Sequence, residues 1–271
     1  MHLHYAAPNA QLAPYIKRYW AIENVLAEGE TCVQRIIPTG MPELSLYFSP
    51  RPKILTGGKQ FPANVSLQGL QTGFYTIELR RELSVFTVVF QPQGLMPFFR
   101  FPQSAICNQL VSFADVAGQV GCDLEEEMSA AVDFQQRVQV VESYFSALLK
   151  SSCADVNFSR ISHTISIIIH SRAAVDIAQM ASEACLSRKQ FERIFAAHIG
   201  ISPKQYLKII RFQWALLHKQ HNTSLSMTEL AYAAGYADQS HLTHDFQSLC
   251  GQTPKHYFAE NEICSDFFEE L

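Results

Sequence analysis

The chain has no run of 18 apolar residues, no Cys-x-x-Cys pair and no histidine between His4 and His163. The first absence removes any candidate for a membrane-crossing helix, so no membrane partner is expected. The first 25 residues, which include Lys17, Arg18 and Glu23, lack the layout of a signal peptide, and the chain is expected in the cytoplasm. Its cysteines, Cys32, Cys107, Cys122, Cys153, Cys185, Cys250 and Cys264, form an odd, scattered set. Neither a disulfide framework nor a zinc site is expected from them, and they read as small apolar fillers. With His2 and His4 at the extreme end, a histidine-based metal site in the N-terminal part is not expected. A phosphate loop, a GxSxG turn, an HExxH helix and a Cys-His pair of catalytic spacing are also missing. The expectation is a protein that is not an enzyme and that carries no cofactor and no metal.

What the chain does have is size and an uneven distribution of charge. At 271 residues, 48% of them apolar, it is long enough for two ordinary domains. The net charge of −4 divides sharply: residues 1–159 carry 11 Lys+Arg against 14 Asp+Glu, residues 160–259 carry 10 against 6, and residues 260–271 carry none against 5. The basic excess is modest, which predicts moderate phosphate contact and not a sticky polycation. The acidic end, 260–271, reads as a solvated tail.

The first hundred residues read as β-structure. Runs rich in β-branched and aromatic residues (Thr31 to Ile37, Glu43 to Phe48, Asn64 to Leu70, Phe74 to Leu79, Ser84 to Gln91) are separated by Pro, Gly and Ser. After Phe101-Pro102 the texture turns helical, with Leu124 to Ala131 and then Gln135 to Lys150, whose Val138, Val141, Tyr144, Phe145 and Leu148 share one stripe. The predicted architecture is α+β and multidomain: an N-terminal antiparallel β-barrel or sandwich with flanking helices over 1–150, a linker over 151–158, and an all-α domain over 159–259. Phe98, Phe99 and Phe101 read as a hydrophobic plug.

Within the helical part, Met180 to Tyr206 is echoed by Leu230 to Tyr257. Gly200-Ile201-Ser202-Pro203-Lys204 answers to Gly251-Gln252-Thr253-Pro254-Lys255, Phe195 to Phe246, and Tyr206 to Tyr257. One inserted residue falls where each copy bends between two helices, which is where a helix-turn-helix tolerates it best. In the first copy, Ala174 to Glu183 precedes a turn through Ala184-Cys185-Leu186, and Ser187 is placed to cap a second helix running to about His198. On that second helix Phe191, Ile194, Phe195 and His198 share an arc, and Arg188, Lys189, Glu192, Arg193 and Ala196 lie opposite. In the second copy, Gly235 supplies the turn and Asp238 caps a helix to about Leu249. Leu242, Phe246 and Leu249 form its apolar arc; Ser240, Thr243, His244 and Gln247 face away, with Gln239 at the edge. A solvated helix face would show such a pattern once. Its recurrence argues for two helices built to enter the major groove, where Arg and Lys donate to guanine and phosphate and small polar groups bond base edges. Leu207, Ile210, Trp214 and Leu217 predict a long apolar-striped helix tying the two units together.

The run MASEACLSRKQFERIFAAHIGISPKQYLKIIRFQWAL followed by MTELAYAAGYADQSHLTHDFQSLCGQTPKHYF resembles the double helix-turn-helix domain of the AraC/XylS family of bacterial transcriptional regulators. The resemblance implies that Lys189, Gln190, Glu192 and Arg193, and then Gln239, Ser240, Thr243 and His244, face double-stranded DNA, while Arg211 has a structural or phosphate role. Three positions depart from the family pattern: Cys185 stands at a turn glycine, His244 at a frequent arginine, and His218-Lys219 at an apolar pair. The first copy, charged with Arg188, Lys189 and Arg193, is expected to anchor, and the second to read or adjust.

The segments RIIPTGMPELSLYF and FQPQGLMPFFRFP resemble the small β-rich domain found on a subset of these regulators, which senses an effector or makes dimers. Arg35, Glu43, Tyr47, Gln68 and Tyr75 are the candidates for orienting a small-molecule effector in an apolar cavity. The competing expectation makes Arg35 and Glu43 a structural pair. Homodimerisation through the 135–150 helix and, for an activator, RNA polymerase are the remaining partner expectations. A repair methyltransferase carrying the same DNA-binding domain would need clustered, zinc-bound cysteines, which the chain lacks.

Overall fold

Alternation at period two builds two antiparallel sheets. In this computed structural model the described residues are 2–26, 30–56, 60–80, 82–99, 101–151, 156–171, 173 and 175–260. The strands are β1 (His2–Ala6), β2 (Ile16–Val25), β3 (Thr31–Ile36), β4 (Glu43–Tyr47), β5 (Lys53–Ile54), β6 (Val65–Gln68), β7 (Tyr75–Arg80), β8 (Glu82–Phe90) and β9 (Leu110–Ser112). One sheet runs β1-β2-β8-β4-β6-β9 and the other β3-β7-β5. The register Leu44↔Val88 and Ser45↔Thr87 fixes which side chains share a face. Leu44, Leu46, Tyr19, Phe86, Val88 and Phe90 point one way, onto three helices, α1 (Phe113–Ala117), α2 (Gln119–Ala130) and α3 (Phe134–Lys150). Trp20, Val85 and Val89 point the other way, toward the second sheet, whose Tyr75, Ile77 and Leu79 close the space between. Phe98 and Phe99 are buried in the first of these layers: Phe98 lies 4.7 Å from the Phe145 ring and Phe99 5.7 Å from that of Phe113.

The remainder is helical: α4 (Val156–His170), α5 (Ile177–Glu183), α6 (Arg188–Ile199), α7 (Pro203–His221), α8 (Met227–Ala233), α9 (Gln239–Cys250) and α10 (Pro254–Glu260). Residues 156–158, expected in the linker, are the first turn of α4; 152–155 and the acidic tail from 261 on lie outside the described residues. Ser202 and Pro203 start α7 in the manner their chemistry favours, a capping box closed by Gln205 with proline at the first helical position. The single stripe expected on α7 is a correction. Tyr206, Leu207, Ile209, Ile210, Phe212, Gln213, Ala215 and Leu216 are all buried, whereas Trp214 and Leu217 are only partly so. The reason is that α7 is covered on a second side by the β-domain. A Cβ at Gly40 would lie 3.5 Å from Tyr206, Ile209 and Ile210, and Gln213 Nε2 donates to Pro38 O.

Candidate nucleic-acid interface

Each helix-turn-helix is held by the same local bonds. In the first, Asp176 Oδ2 accepts from the N–H groups of Ala178 and Gln179 at 3.0 and 3.1 Å, capping α5. In the second, Ser226 caps α8 in a capping box with Glu229, whose carboxyl is held below its usual range by the Ser226 hydroxyl and N–H. The turns then close identically: Leu186 N donates to Ala181 O and Tyr236 N to Ala231 O, both at 2.9 Å. The turn residue is left-handed in both copies, Gly235 at φ 79 and Cys185 at φ 55. Glycine adopts that conformation without a Cβ penalty and cysteine does not. Cys185→Gly is therefore expected to raise the unfolding free energy by about 0.5–1 kcal/mol in urea titration, and a loss of stability would contradict this account of the turn.

Ser187 and Asp238 start α6 and α9, the second helix of each unit. Of the expected DNA-facing residues, Ser187, Arg188, Lys189, Gln190, Arg193, Gln239, Ser240, His244 and Gln247 are exposed, and Glu192 and Thr243 are partly so. Several are engaged locally. Ser187 Oγ donates to Gln190 Oε1 at 2.9 Å, Arg188 pairs with Glu192 at 3.0 Å, and Thr243 Oγ1 donates back to Gln239 O at 2.9 Å. Lys189 and Arg193 are the cations of α6 outside that pair. Beneath the surface, Phe191, Phe195 and His198 of α6, and Leu242, Phe246 and Leu249 of α9, fix both helices to one core.

Asp245 was not among the residues singled out from sequence. It lies on the buried side of α9, only 3% exposed, with its Oδ1 3.3 Å from Lys208 Nζ of α7. Lys208 also donates to Ser248 Oγ at 2.8 Å, and His241 and His244 reach the same carboxylate at 3.8 and 3.6 Å. A carboxylate on a DNA-facing helix would repel phosphate; under Lys208 its charge is balanced and it pins α9 to α7. A charged residue interrupting the Leu242/Phe246/Leu249 arc was the available signal. Arg211 has its guanidinium carbon 5.6 Å from the Tyr236 ring centroid, in a position inside the domain.

In the β-domain the structure brings together four of the five candidate effector residues. Glu43 pairs with Gln68 across β4 and β6, and Tyr75 donates its hydroxyl to Gln68 Oε1 at 2.6 Å. Tyr47 packs on Phe61 at 5.1 Å. Burial pushes the Glu43 carboxyl up to about 7 against the pull of Arg18, and raises the Tyr47 and Tyr75 hydroxyls, with Glu43's charge adding to both. Arg35 does not join them. The register Ile36↔Tyr75 turns Ile36 inward and Arg35 outward, where its guanidinium carbon stands 5.2 Å from the Phe74 ring. Arg35 faces the helical domain, its charge acting on Cys250, whose thiol burial pushes up to about 11. The expected Arg35–Glu43 pair is absent because strand alternation separates the two, and Arg18 is the cation near Glu43. Among the described residues no cluster of His, Cys, Asp and Glu is built to hold a metal, and no helix is long and apolar enough to cross a membrane.

Two capped helix pairs on a rigid connecting helix, with polar faces outward, define a double helix-turn-helix domain. Comparison with known proteins agrees. Residues 180–260 match a family described as "Helix-turn-helix domain", and residues 4–112 match a domain of unknown function (DUF6597). The chain is 37% identical over 82 residues to an uncharacterized HTH-type transcriptional regulator of Haemophilus influenzae, covering 30% of this chain and 27% of that protein. It is 29% identical over 98 residues to the HTH-type transcriptional activator RhaS of Escherichia fergusonii, covering 36% of this chain and 35% of the other. Among solved structures, ToxT from Vibrio cholerae aligns over 89% of this chain and 98% of its own, at 12% identity and a TM-score of 0.48. The chain spans about a quarter to just over half the length of the curated relatives it matches. Its C-terminal third is a helix-turn-helix domain of the AraC type.

Proposed function

We propose that this protein is a sequence-specific transcriptional regulator that reads double-stranded DNA with α6 and α9 and is controlled by a small-molecule effector taken up by its β-domain. The observation that carries the reading is the doubled unit itself: two helices with matching caps and buried arcs, both turning their polar faces to solvent. Lys189 and Arg193 anchor the first unit on phosphate or guanine, and Ser240, His244 and Gln247 adjust the second. The effector half of the proposal is supported by Glu43, Tyr47, Gln68 and Tyr75 converging between the two sheets, and by a cavity of about 320 Å³ lined by both domains, with Met41 and Gln93 on one side and Ile165 and Tyr206 on the other. Occupation of the cavity lined by both domains would bear on how they meet.

Selection of bound genomic fragments with the purified protein gives the operator and tests the assignment. Lys189→Ala/Arg193→Ala is then expected to weaken operator binding by about 10–100-fold and to lower the slope of log K against log salt by about 2. Unchanged specific affinity in an anisotropy titration would rule out α6 as the anchoring helix. The alternative, a β-domain that only dimerises, is separated by a thermal-shift screen: an effector at a hundred times its Kd stabilises the folded protein by about 2.7 kcal/mol.

A further inference from the structure

The repeat places a left-handed glycine at the C-terminal cap of each DNA-facing helix, Gly200 after α6 at φ 98 and Gly251 after α9 at φ 74. Both caps bear on the β-domain. A Cβ on Gly200 would stand 3.2 Å from Gln103 O, in the 3-10 turn Gln103–Ile106, and the buried Gln103 side chain donates to His198 O in the last turn of α6. A Cβ on Gly251 would stand 2.4 Å from the Phe74 ring, so the ring rests directly on the α9 cap. The two β-domain elements are bonded to each other. Asn108 N donates to Leu70 O at 3.0 Å, Thr72 N to Asn108 Oδ1 at 2.8 Å, and Asn108 Nδ2 to Thr72 Oγ1 at 2.9 Å. Gly69 lies so close that a Cβ there would fall 2.0 Å from Ile106 O.

Residues 69–74 and 103–108 thus form a crosspiece that joins the C-terminal ends of α6 and α9, and leaves the polar faces of their N-terminal halves in solvent. A helix pair packed on α7 through Phe195, Asp245 and Phe246, and held again at its C-terminal caps by a hydrogen-bonded strap, is restrained in separation and in tilt. Two helices entering successive major grooves must match a repeat of about 10–10.5 base pairs, so their separation is what a spacing requirement reads. We propose that the crosspiece is a positioning element for DNA recognition: through Phe74 on Gly251 and Gln103 on the α6 cap, the β-domain sets which spacing of half-sites the protein accepts. The inference rests on the DNA-binding reading above.

The test uses the full chain and a library in which the two half-sites, found by fragment selection, are separated by spacers lengthened or shortened one base pair at a time. Wild type is expected to lose more than about tenfold in affinity when the spacer changes by two base pairs, and Phe74→Ala less than about threefold, with binding to one isolated half-site unchanged. Thr72→Val, which replaces a hydroxyl by a methyl of similar size and removes the hydroxyl's bonds to the Asn108 side chain while leaving the Thr72 N–H bond to Asn108 Oδ1, is expected to relax the spacing in the same direction with the fold intact by circular dichroism. Weaker binding at every spacer with the profile preserved would mean a merely structural contact and overturn the proposal. A wild type indifferent to spacing would overturn it as well. A wild type that selects no motif at all would remove the DNA-binding reading itself, a distinguishable failure.

Discussion

Replacing Phe246 by alanine lowers the unfolding free energy by about 3–5 kcal/mol, the range for deleting a fully buried phenyl ring from a packed core. Phe246 has no exposed surface, and its ring lies 4.8 Å from that of Phe212 on α7, 5.6 Å from Phe258 and 6.0 Å from Tyr257. It is the point at which α9, α7 and α10 meet. Its counterpart Phe195 is equally buried, 5.7 Å from Phe191 and 5.8 Å from Tyr206. The two alanine variants are therefore expected to cost similar amounts in urea titration. Both should unfold the helical domain in one transition, because Phe191, Phe195, Phe212 and Phe246 belong to one buried cluster. If Phe246→Ala gave two transitions, with α6 retaining its order through the first, the domain would be two loosely coupled units. A cost below about 1 kcal/mol would mean that the site collapses around the missing ring.

How much of this was legible in the sequence depends on whether the deciding partner was local. Caps, turns and apolar arcs of the repeat are settled within four residues of chain, so Ser187, Asp238 and Gly235 could be placed, and α6 and α9 end one residue beyond their expected limits. The five named β-runs are strands for the same reason. β2 carries no such run: Lys17, Arg18 and Glu23 interrupt its apolar pattern, and Arg18 acts on Glu43 from another strand. The extra burial on α7 and the outward turn of Arg35 were hidden because both follow from β-domain packing and strand register, which are long-range. Asp245 was in view as a charge in an apolar arc; only the position of Lys208 explains why it is tolerated there.

The charge on Glu43 is expected to make stability fall as pH rises. Burial is the main cause of its raised pKa of about 7, with Arg18 opposing, whereas an unperturbed glutamate in the unfolded chain ionises near 4.5. Between these values the native state holds a proton that the unfolded chain has released, so stability declines as pH rises through this window and is flat with respect to this group on either side. The full linkage for such a shift is about 3 kcal/mol, and because Glu43 keeps partial access to water we expect about 2–3 kcal/mol at pH 8. Glu43→Gln stays neutral, preserves the shape and keeps an acceptor. It should match wild type near pH 5 and exceed it by that amount at pH 8, as read from urea titrations at each pH. A wild-type-to-variant difference that does not change with pH would show that Glu43 is ionised throughout. An effector that places a hydrogen-bond donor or a positive charge beside Glu43, between Tyr47 and Gln68, would stabilise the carboxylate. Its affinity would then rise with pH across the same window in wild type and stay level in Glu43→Gln, a contrast that calorimetric titration at pH 5 and pH 8 measures directly.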